Sequence, residues 1–348
     1  MARSGVPTKA RLASRLMDLP SQIRAAIDKA LDGVPLADVQ AAAERLSMRY
    51  RAATRDGRAH LSDDLAARAY LAVRMPATYA AVRASLDAVA ELRPGFMPRS
   101  LLDAGAGPGT ALFAARDCWP SLSEATLVES STAIRRWGET LVSASAFKQA
   151  DWLASDLASV ELRQAHYDLV LLTYVLDELE PKAIGPLIDR LWKATGDTMV
   201  VVEPGTSAGW SRILSVRDRF IAAGAYLVAP CPHAMTCPLQ APDWCHFSRR
   251  VARSRMHRRI KSADVPWEDE KFIYLAASRH PGLSVSARVI APVLVKGGTV
   301  TLKLCQKAGD ARRHMLSKRN GEAFRQARRL AWGDCLGEHA TIPTDSAV

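Results

Sequence analysis

Residues 100–110 read Ser-Leu-Leu-Asp-Ala-Gly-Ala-Gly-Pro-Gly-Thr, and this stretch determines the fold class. Two leucines predict a short buried strand, an acidic residue ends it, and a glycine-rich turn leads into a helix near Thr110. Gly105 and Gly107 carry no Cβ and can adopt φ > 0, so the backbone can turn sharply and approach a ligand closely. A helix starting near Thr110 would point free N–H groups and the positive end of its dipole toward that ligand.

Two known ligand-binding turns share these features. The dinucleotide-binding turn has the pattern G-x-G-x-x-G, with its last glycine one residue later than Gly109. The spacing here, with Asp103 two residues before the first glycine, instead resembles the S-adenosylmethionine (SAM) loop of Rossmann-like methyltransferases. A glycine triplet alone is also typical of a flexible loop, so the assignment depends on the segments that follow.

From residue 100 onward, strand-like and helix-like segments alternate, which predicts a parallel α/β sheet. Further strands are predicted at 125–129, 167–174 and 198–203, and the second of these is almost wholly apolar, as a central parallel strand should be. Acidic residues stand at several strand ends. Together these segments predict a Rossmann-like SAM-dependent methyltransferase fold.

The strand ends supply the candidate cofactor site. Glu129 lies 20 residues past Gly109, where a nucleoside-binding fold places an acid for the ribose hydroxyls. Asp151 and Trp152 occupy the loop position expected near the adenine amine, and Tyr174 ends the fourth strand. The predicted cofactor-binding residues are therefore Asp103, Gly105, Gly107, Gly109, Glu129, Asp151, Trp152 and Tyr174.

No catalytic residue is assigned. The Asn/Asp-Pro-Pro-aromatic signature of enzymes that methylate base amines is missing after the fourth strand, where residues 176–179 read Leu-Asp-Glu-Leu. No cysteine stands where a methylating nucleophile is expected. The sequence therefore predicts a cofactor site without an evident catalytic base.

Composition and length indicate a globular protein of two or three domains, with 348 residues and 48% hydrophobic content. No apolar run approaches the roughly 18 residues needed to span a membrane, and the start of the chain has no apolar signal core. Neither a membrane location nor secretion is expected. The basic start is typical of a transit peptide or of an Arg/Ala-rich bacterial helix, and the helix is favoured.

Positive charge is concentrated in the second half of the chain. The formal net charge is +11, and residues 245–334 contain 20 Lys and Arg against 7 Asp and Glu. A localised basic block of this size predicts contact with nucleic acid, with a solvated basic face as the alternative. The candidate RNA-binding residues are Arg249, Arg250, Arg253, Arg255, Arg258, Arg259 and Lys261.

Three of the six cysteines, Cys231, Cys237 and Cys245, fall within a single stretch of 15 residues that is rich in proline. Disulfides are not expected without a secretion signal. A metal centre is the better interpretation, because thiolates bound to a metal can cross-link a loop that has no core of its own. The C-x2-C knuckles of a zinc ribbon are absent.

Wide, irregular cysteine spacing with a distant fourth ligand suits an iron–sulfur cluster held by four thiolates. Cys305, at the end of a predicted strand after the Gly297-Gly298 turn, is the candidate fourth ligand. A zinc site remains the alternative, with His233 and His246 as possible ligands.

The combined motifs resemble a known family. CPHxxxCPL at residue 231, WCHFxxR at residue 244, and a strand ending in Leu-Cys follow an EPG strand end and the DAGAGPGT loop. This set resembles the methyltransferase-like family of small-ribosomal-subunit assembly factors of bacteria and mitochondria, over roughly residues 70–335. The resemblance implies SAM binding, contact with small-subunit ribosomal RNA, and a [4Fe-4S] cluster on Cys231, Cys237, Cys245 and Cys305.

The expected organisation has five parts: an N-terminal helical domain (1–95), a SAM-binding core (96–210), a cysteine-rich basic insertion (211–268), closing strands of the sheet (269–306) and a basic C-terminal tail (307–348). Two functions are open, methylation of small-subunit RNA and a non-catalytic assembly role in which SAM and the cluster stabilise the fold. A monomer is expected, in the cytoplasm of a bacterium or the mitochondrial matrix of a eukaryote.

Overall fold

The computed structural model describes residues 16–52, 63–162 and 166–338 of the chain. The beginning of the predicted helical domain and the end of the predicted basic tail therefore lie outside the described residues. No helix in the described ranges is long and apolar enough to cross a membrane.

The described N-terminal part is helical, as the apolar spacing of the sequence predicts. Its helices are α1 (Ser21–Leu31), α2 (Leu36–Ala52), α3 (Asp64–Val73) and α4 (Met75–Leu92). Asp63 caps α3 by accepting a hydrogen bond from the Ala66 amide at 2.8 Å. Pro76 lies in the first turn of α4, where its missing N–H costs nothing, so α3 and α4 are separate helices.

Eight strands form the first sheet, with helices between most of them. The strands are β1 (Ser100–Ala104), β2 (Glu124–Val128), β3 (Gln149–Leu153), β4 (Tyr167–Thr173), β5 (Thr195–Pro204), β6 (Tyr226–Ala229), β7 (Phe247–Ala252) and β8 (Trp267–Ser278). The helices are α5 (Thr110–Cys118), α6 (Thr132–Ala144), α7 (Pro181–Ala194), α8 (Ser207–Ala222) and α9 (Arg255–Ile260).

The strand order of this sheet is β3-β2-β1-β4-β5-β8-β6, and β7 pairs with the first half of β8. Strands β1 to β5 are parallel, whereas β8 runs antiparallel to both β5 and β6. This is the Rossmann-like methyltransferase arrangement predicted from the glycine loop. The order reverses between β1 and β4, which opens a crevice at the carboxyl ends of the strands.

A second, antiparallel sheet follows β8. Its strands are β9 (Val285–Val289), β10 (Leu294–Lys296), β11 (Thr299–Gln306), β12 (Ala311–Ser317) and β13 (Cys335–Gly337), with α10 (Gly321–Ala327) packed beside it. Every second residue of β11 is buried, and Leu302 and Leu304 join Leu316 and Phe324 in a separate core. Because each of these strands has one apolar face, the second sheet must bury that face in a core separate from that of the first sheet.

The structure thus divides the C-terminal half differently from the expected domains. Only β8 closes the first sheet, whereas the other strands expected to close it, β9 to β11, belong to the second sheet. The segment expected to be a basic tail is folded through residue 338, because β12 pairs with β11 and β13 pairs with β9.

Arginine side chains join the parts. Arg93, just after α4, contacts Asp197 on β5 and donates to Thr198 at 3.0 Å and to Ser278 on β8. Arg288 on β9 is 1% exposed and donates to the Pro230 carbonyl, beyond β6, at 2.9 Å. These contacts hold the helices and the second sheet against the first sheet.

Candidate functional site

The glycine loop has the backbone that its sequence predicts. Gly105, Gly107 and Gly109 have φ of +75°, +54° and +79°, and Gly109 is the N-cap of α5. A Cβ on Gly105 would lie 2.4 Å from Cγ2 of Val175, so any side chain there would clash. A Cβ on Gly107 would meet nothing within 4 Å, because that side of the loop faces an open cleft.

This cleft lies at the carboxyl ends of β1, β2 and β4. The side chains around it are mostly polar and come from four parts of the chain: Tyr70, Glu129, Ser130, Ser131, Asp156, Tyr174 and Glu178. The Glu129 carboxylate accepts hydrogen bonds from the Gly107 amide at 2.9 Å and the Ser131 amide at 2.8 Å. Burial raises the pKa of Glu129, while these amides oppose the shift.

Asp103 lies beneath the loop and is fully buried. Neither of its carboxylate oxygens has a side-chain hydrogen-bond partner among the described residues, and the backbone amide of Leu112 in α5 is the one neighbour that opposes the rise of its pKa. Burial, with the neighbouring charge of Glu129 as a second cause, raises the pKa of Asp103 to about 7. An unpaired buried carboxyl group at this position is costly unless a cationic or hydrogen-donating ligand group approaches it.

The predicted cofactor residues divide into two groups. Gly105, Gly107, Glu129 and Tyr174 line the cleft, with Asp103 below it and Gly109 at the start of α5. The Trp152 ring packs behind the loop, 3.9 Å from where a Gly109 Cβ would lie. Asp151 is exposed on β3 and lines a different depression, beside Glu124.

The acid that lines the cleft is Asp156, whereas the predicted Asp151 lies elsewhere. Because β3 continues to Leu153, Asp151 lies within the strand, and the loop acid at the cleft is Asp156. Its side chain accepts from the Ala158 amide at 2.6 Å. The sequence carries both acids five residues apart, so a correct strand end would have selected the second one.

Tyr174 holds one wall of the cleft in a strained conformation. Its φ is +59°, which is rare for a residue with a side chain. The Tyr174 hydroxyl donates to Oε1 of Glu270 at 3.1 Å, and Arg74 contacts the same carboxylate at 3.4 Å. Burial and the Glu270 charge raise the pKa of Tyr174 well above its usual value, so the phenol stays protonated. Arg74 and Glu270 carry no local sequence signal for this role.

Glu203, at the end of β5, fixes the loop that follows β4. Its side chain is fully buried, accepts from Nε of Arg212 at 2.7 Å, and accepts from the Leu176 amide at 3.1 Å. Burial, and then the charge of Asp177, raise the pKa of Glu203 to about 7 against the opposing effect of Arg212. Leu176 adjoins Val175, which lines the cleft, so this carboxylate supports the cleft wall.

A second cavity brings together the four cysteines that the sequence singled out. Cys231, Cys237, Cys245 and Cys305 all line it, although Cys305 comes from β11 of the second sheet. Burial and the neighbouring thiols raise the pKa of Cys305 to about 12 and that of Cys245 well above its usual value. Within the described ranges, no three His, Cys, Asp or Glu side chains lie close enough together to hold a metal ion in the arrangement that the structure shows.

His233 also lines this cavity, whereas His246, Cys118 and Cys335 are not among its lining residues. Nε2 of His233 lies 3.6 Å from Sγ of Cys305. His246 stacks on Trp244 with ring centres 5.3 Å apart. Cys118 and Cys335 contact carboxylates on the N-terminal helices instead.

Two buried arginines flank the cysteine cavity. Arg217 is 2% exposed and donates to the His233 and Met235 carbonyls, and its Nε has no partner among the described residues. Arg288 donates to Pro230 and Gly333, and its second terminal nitrogen also lacks a partner there. Two buried cations with unsatisfied N–H groups favour an anionic group in this cavity.

The predicted RNA-binding block is partly neutralised by acids on β8. Arg250 pairs with Asp269 at 2.9 Å, and Arg253 and Lys261 both pair with Glu268 at 3.1 Å. These partners are adjacent because β7 runs beside the acidic start of β8. The other four members, Arg249, Arg255, Arg258 and Arg259, have no carboxylate partner in the part of the chain that the structure describes.

Comparison with known proteins gives one family. The sequence profile of the family described as mitochondrial small ribosomal subunit Rsm22 matches residues 64–337. The human mitochondrial ribosome assembly protein METTL17 is 29% identical over 289 residues, which are 77% of this chain and 61% of the human protein. The mitochondrial Rsm22-cox11 tandem protein 2 of Schizosaccharomyces pombe is 21% identical over 80% of this chain. The chain spans 61% and 44% of the lengths of these two relatives.

Solved structures are similar at a lower level. Magnesium protoporphyrin IX methyltransferase of Synechocystis PCC 6803, with bound SAM, is 13% identical over 75% of this chain and 98% of that chain, with a TM-score of 0.37. The strand order of the first sheet, β3-β2-β1-β4-β5-β8-β6, identifies the fold.

Asp103→Asn tests the unpaired buried carboxyl group. The folded protein holds the Asp103 proton more tightly than the unfolded chain does, so wild-type stability falls as pH rises from 3.8 to about 7. The variant lacks this contribution. As pH rises across that range, the free energy of unfolding of the variant, measured with urea, should increase relative to that of wild type. The increase should be roughly 1.4 kcal/mol per unit of pKa shift, up to about 4 kcal/mol. A pH-independent difference between the two proteins would contradict the assignment.

Proposed function

The chain belongs to the family described as mitochondrial small ribosomal subunit Rsm22, and we propose that it binds SAM and acts on the small ribosomal subunit during assembly. The observation that carries the proposal is the polar cleft at the switch point of a methyltransferase-type sheet, within the matched residues. The curated human relative is named a ribosome assembly protein, which supports the second half of the proposal.

The residues of the cleft fit SAM. Gly107 presents an open backbone surface, and Glu129 is placed to accept the ribose hydroxyls once its bond to the Gly107 amide is exchanged. Asp156 stands on the adenine side, and the unpaired carboxyl group of Asp103 lies below the loop, where a cationic amine would satisfy it. SAM would supply an activated methyl group there when bound.

The residues of the cysteine cavity fit an anionic metal–thiolate group, and a [4Fe-4S] cluster on Cys231, Cys237, Cys245 and Cys305 is our assignment. The unsatisfied N–H groups of Arg217 and Arg288 match a net negative occupant. Such a cluster would cross-link the loop before β7 to β11 of the second sheet. A zinc ion held in part by His233 is the alternative.

Ribosomal RNA of the small subunit is the proposed partner. Arg249, Arg255, Arg258 and Arg259 are the members of the basic block available for phosphate contacts, whereas Arg250, Arg253 and Lys261 are held in ion pairs. Because the human and yeast relatives are named as mitochondrial, we place a eukaryotic chain of this kind in the mitochondrial matrix, and a bacterial one in the cytoplasm. A monomer is proposed.

Two functions use these sites differently. In the first, the chain methylates small-subunit RNA, and the cleft orients the methyl donor. In the second, it does not catalyse, and SAM stabilises the binding-competent fold by mass action. The Tyr174 hydroxyl donates to Glu270 and its pKa is raised, so Tyr174 is not the base that the first function would need.

Gly107→Val tests the cofactor cleft. The valine side chain would occupy the open space where the donor is proposed to lie, so SAM affinity in calorimetry should fall at least about tenfold, a loss of about 1.4 kcal/mol. Gly33→Val is the matched control, because Gly33 also has positive φ, at +72°, and open space around it but lies between α1 and α2. Equal SAM affinity in both variants would contradict the site.

The same pair of variants separates the two functions. Wild-type protein, prepared anaerobically, is mixed with labelled SAM and immature small subunits from a strain lacking the chain. Label in ribosomal RNA that is lost with Gly107→Val and kept with Gly33→Val identifies a methyltransferase. SAM binding without label identifies the non-catalytic role.

Cys237→Ser tests the cluster assignment. Loss of one thiolate should abolish the visible absorbance of anaerobically prepared protein and lower the stability of the segment from β6 to β12. Cys118→Ser is the control, since Cys118 is far from the cavity and beside Asp87. A Cys237→Ser protein that keeps both its absorbance and its stability would refute the assignment.

A further inference from the structure

The second sheet has a polar face that the proposed function does not use. Along β11, Val300, Leu302 and Leu304 are buried in the core shared with α10, so the alternate residues lie on the opposite face. These alternate residues are Thr299, Thr301, Lys303 and Cys305. Since Cys305 lines the cysteine cavity, this face runs from the cavity outward along the sheet.

Strand register places the residues of this face in rows across the sheet. Four rows follow one another along β11, from the cavity to the open end: Arg288 with Cys305 and Ala311, Lys303 with Arg313, Leu294 with Thr301 and Met315, and Lys296 with Thr299 and Ser317. Neighbouring strands lie about 4.8 Å apart, so the members of each row are in direct reach of one another.

The charges of these rows are of one sign. Lys303 and Arg313 are directly opposite each other, and like charges at such positions destabilise a sheet. Lys303 is neutralised by Asp243 from the cysteine-rich loop. Arg313 is exposed and has no carboxylate partner among residues 16–52, 63–162 and 166–338.

Two further cations extend the charge at the open end of the face. Lys296 is exposed on β10, and the Lys318 side chain lies 3.6 Å from where a Cβ of Gly298 would be, beside the β10–β11 turn. Neither has a carboxylate partner in the described residues. Between the two basic rows, Leu294 and Met315 are 56% and 52% exposed.

We propose that this face of the second sheet binds RNA, with Lys296, Arg313 and Lys318 contacting phosphates. Charge complementarity supports an RNA occupant, because three cations without carboxylate partners in the described residues lie at this face with the hydroxyl of Thr301, and both kinds of group donate to phosphate oxygens. The exposed apolar row of Leu294 and Met315, between the two basic rows, suits contact with riboses and base faces. An acidic peptide has neither riboses nor bases. The inference rests on the proposed ribosomal RNA partner, and it places RNA beside Cys305.

This face is separate from the basic block around α9. That helix packs against α2 and α3 of the N-terminal part, whereas the rows described here belong to the second sheet. The two surfaces can therefore be tested independently.

The test compares two triple variants of the full chain that lose the same charge. The face variant carries Lys296→Gln, Arg313→Gln and Lys318→Gln, which remove the three proposed phosphate contacts of this face. Lys307→Gln, Arg312→Gln and Arg325→Gln are the control, since these cations are paired with Glu338, Asp310 and Glu322, and Arg312 lies on the opposite side of β12 from Arg313. Binding of a fluorescein-labelled transcript of small-subunit RNA is followed by anisotropy over a range of KCl concentrations, after thermal unfolding has verified that both variants are folded.

The face variant should weaken RNA binding at least about tenfold and reduce the magnitude of the slope of log K against log salt by about two to three, because each of the three lost phosphate contacts contributes roughly 0.7–0.9 to that slope. The control should stay within about twofold of wild type. Equal weakening of RNA binding in both variants, or no weakening in the face variant, overturns the inference. In either case, RNA binding by the wild-type protein leaves the proposed function standing. Absence of RNA binding by wild type overturns the inference and the proposed RNA partner together, and binding of poly-glutamate that the face variant loses would identify an acidic peptide as the occupant.

Discussion

The end of β5 links both sites, and its central interaction is made by the buried carboxylate of Glu203. It accepts from Arg212 on α8 and from the Leu176 amide, so it fixes the chain after β4 that forms a wall of the cleft. Two residues later, the Gly205 carbonyl accepts from Nε1 of Trp244 at 3.0 Å, next to Cys245. One strand end thus positions the proposed cofactor cleft and the cysteine-rich loop. Removing one partner of a buried pair such as Glu203 and Arg212 is strongly destabilising.

The parts of this architecture that the sequence predicts are those with local signals. The structure gives Gly105 and Gly107 the positive φ that the sequence predicts and places Glu129 beside them at the cleft, because these features are properties of short segments. Asp156 was missed because its position depends on where β3 ends, and strand ends have weak signals. Glu270 has no such local signal, because it contacts Tyr174 from β8, about a hundred residues later in the chain, through antiparallel pairing.

The separate second sheet is not predictable from the sequence, and the reason is a different one. The alternating pattern of β11 predicts a strand, yet its partner could have been β8 or β12, and only packing around Leu302 and Leu304 selects a separate layer. Counting charges likewise located a basic region without resolving it. Acids on β8 neutralise Arg250 and Arg253 across the β7–β8 pair, whereas Arg313 on β12 keeps its charge on an open face. Position within a sheet, more than the sum of charges, determines which cations can meet a partner.

Sedimentation with ribosomal particles tests the central claim, action on the small subunit, most directly. Anaerobically prepared protein is incubated with SAM and with immature small subunits, or separately with large subunits, and each mixture is fractionated on a sucrose gradient. The account predicts recovery of the protein with the small subunits and little recovery with the large ones. Recovery with neither, or equal recovery with both, would contradict it.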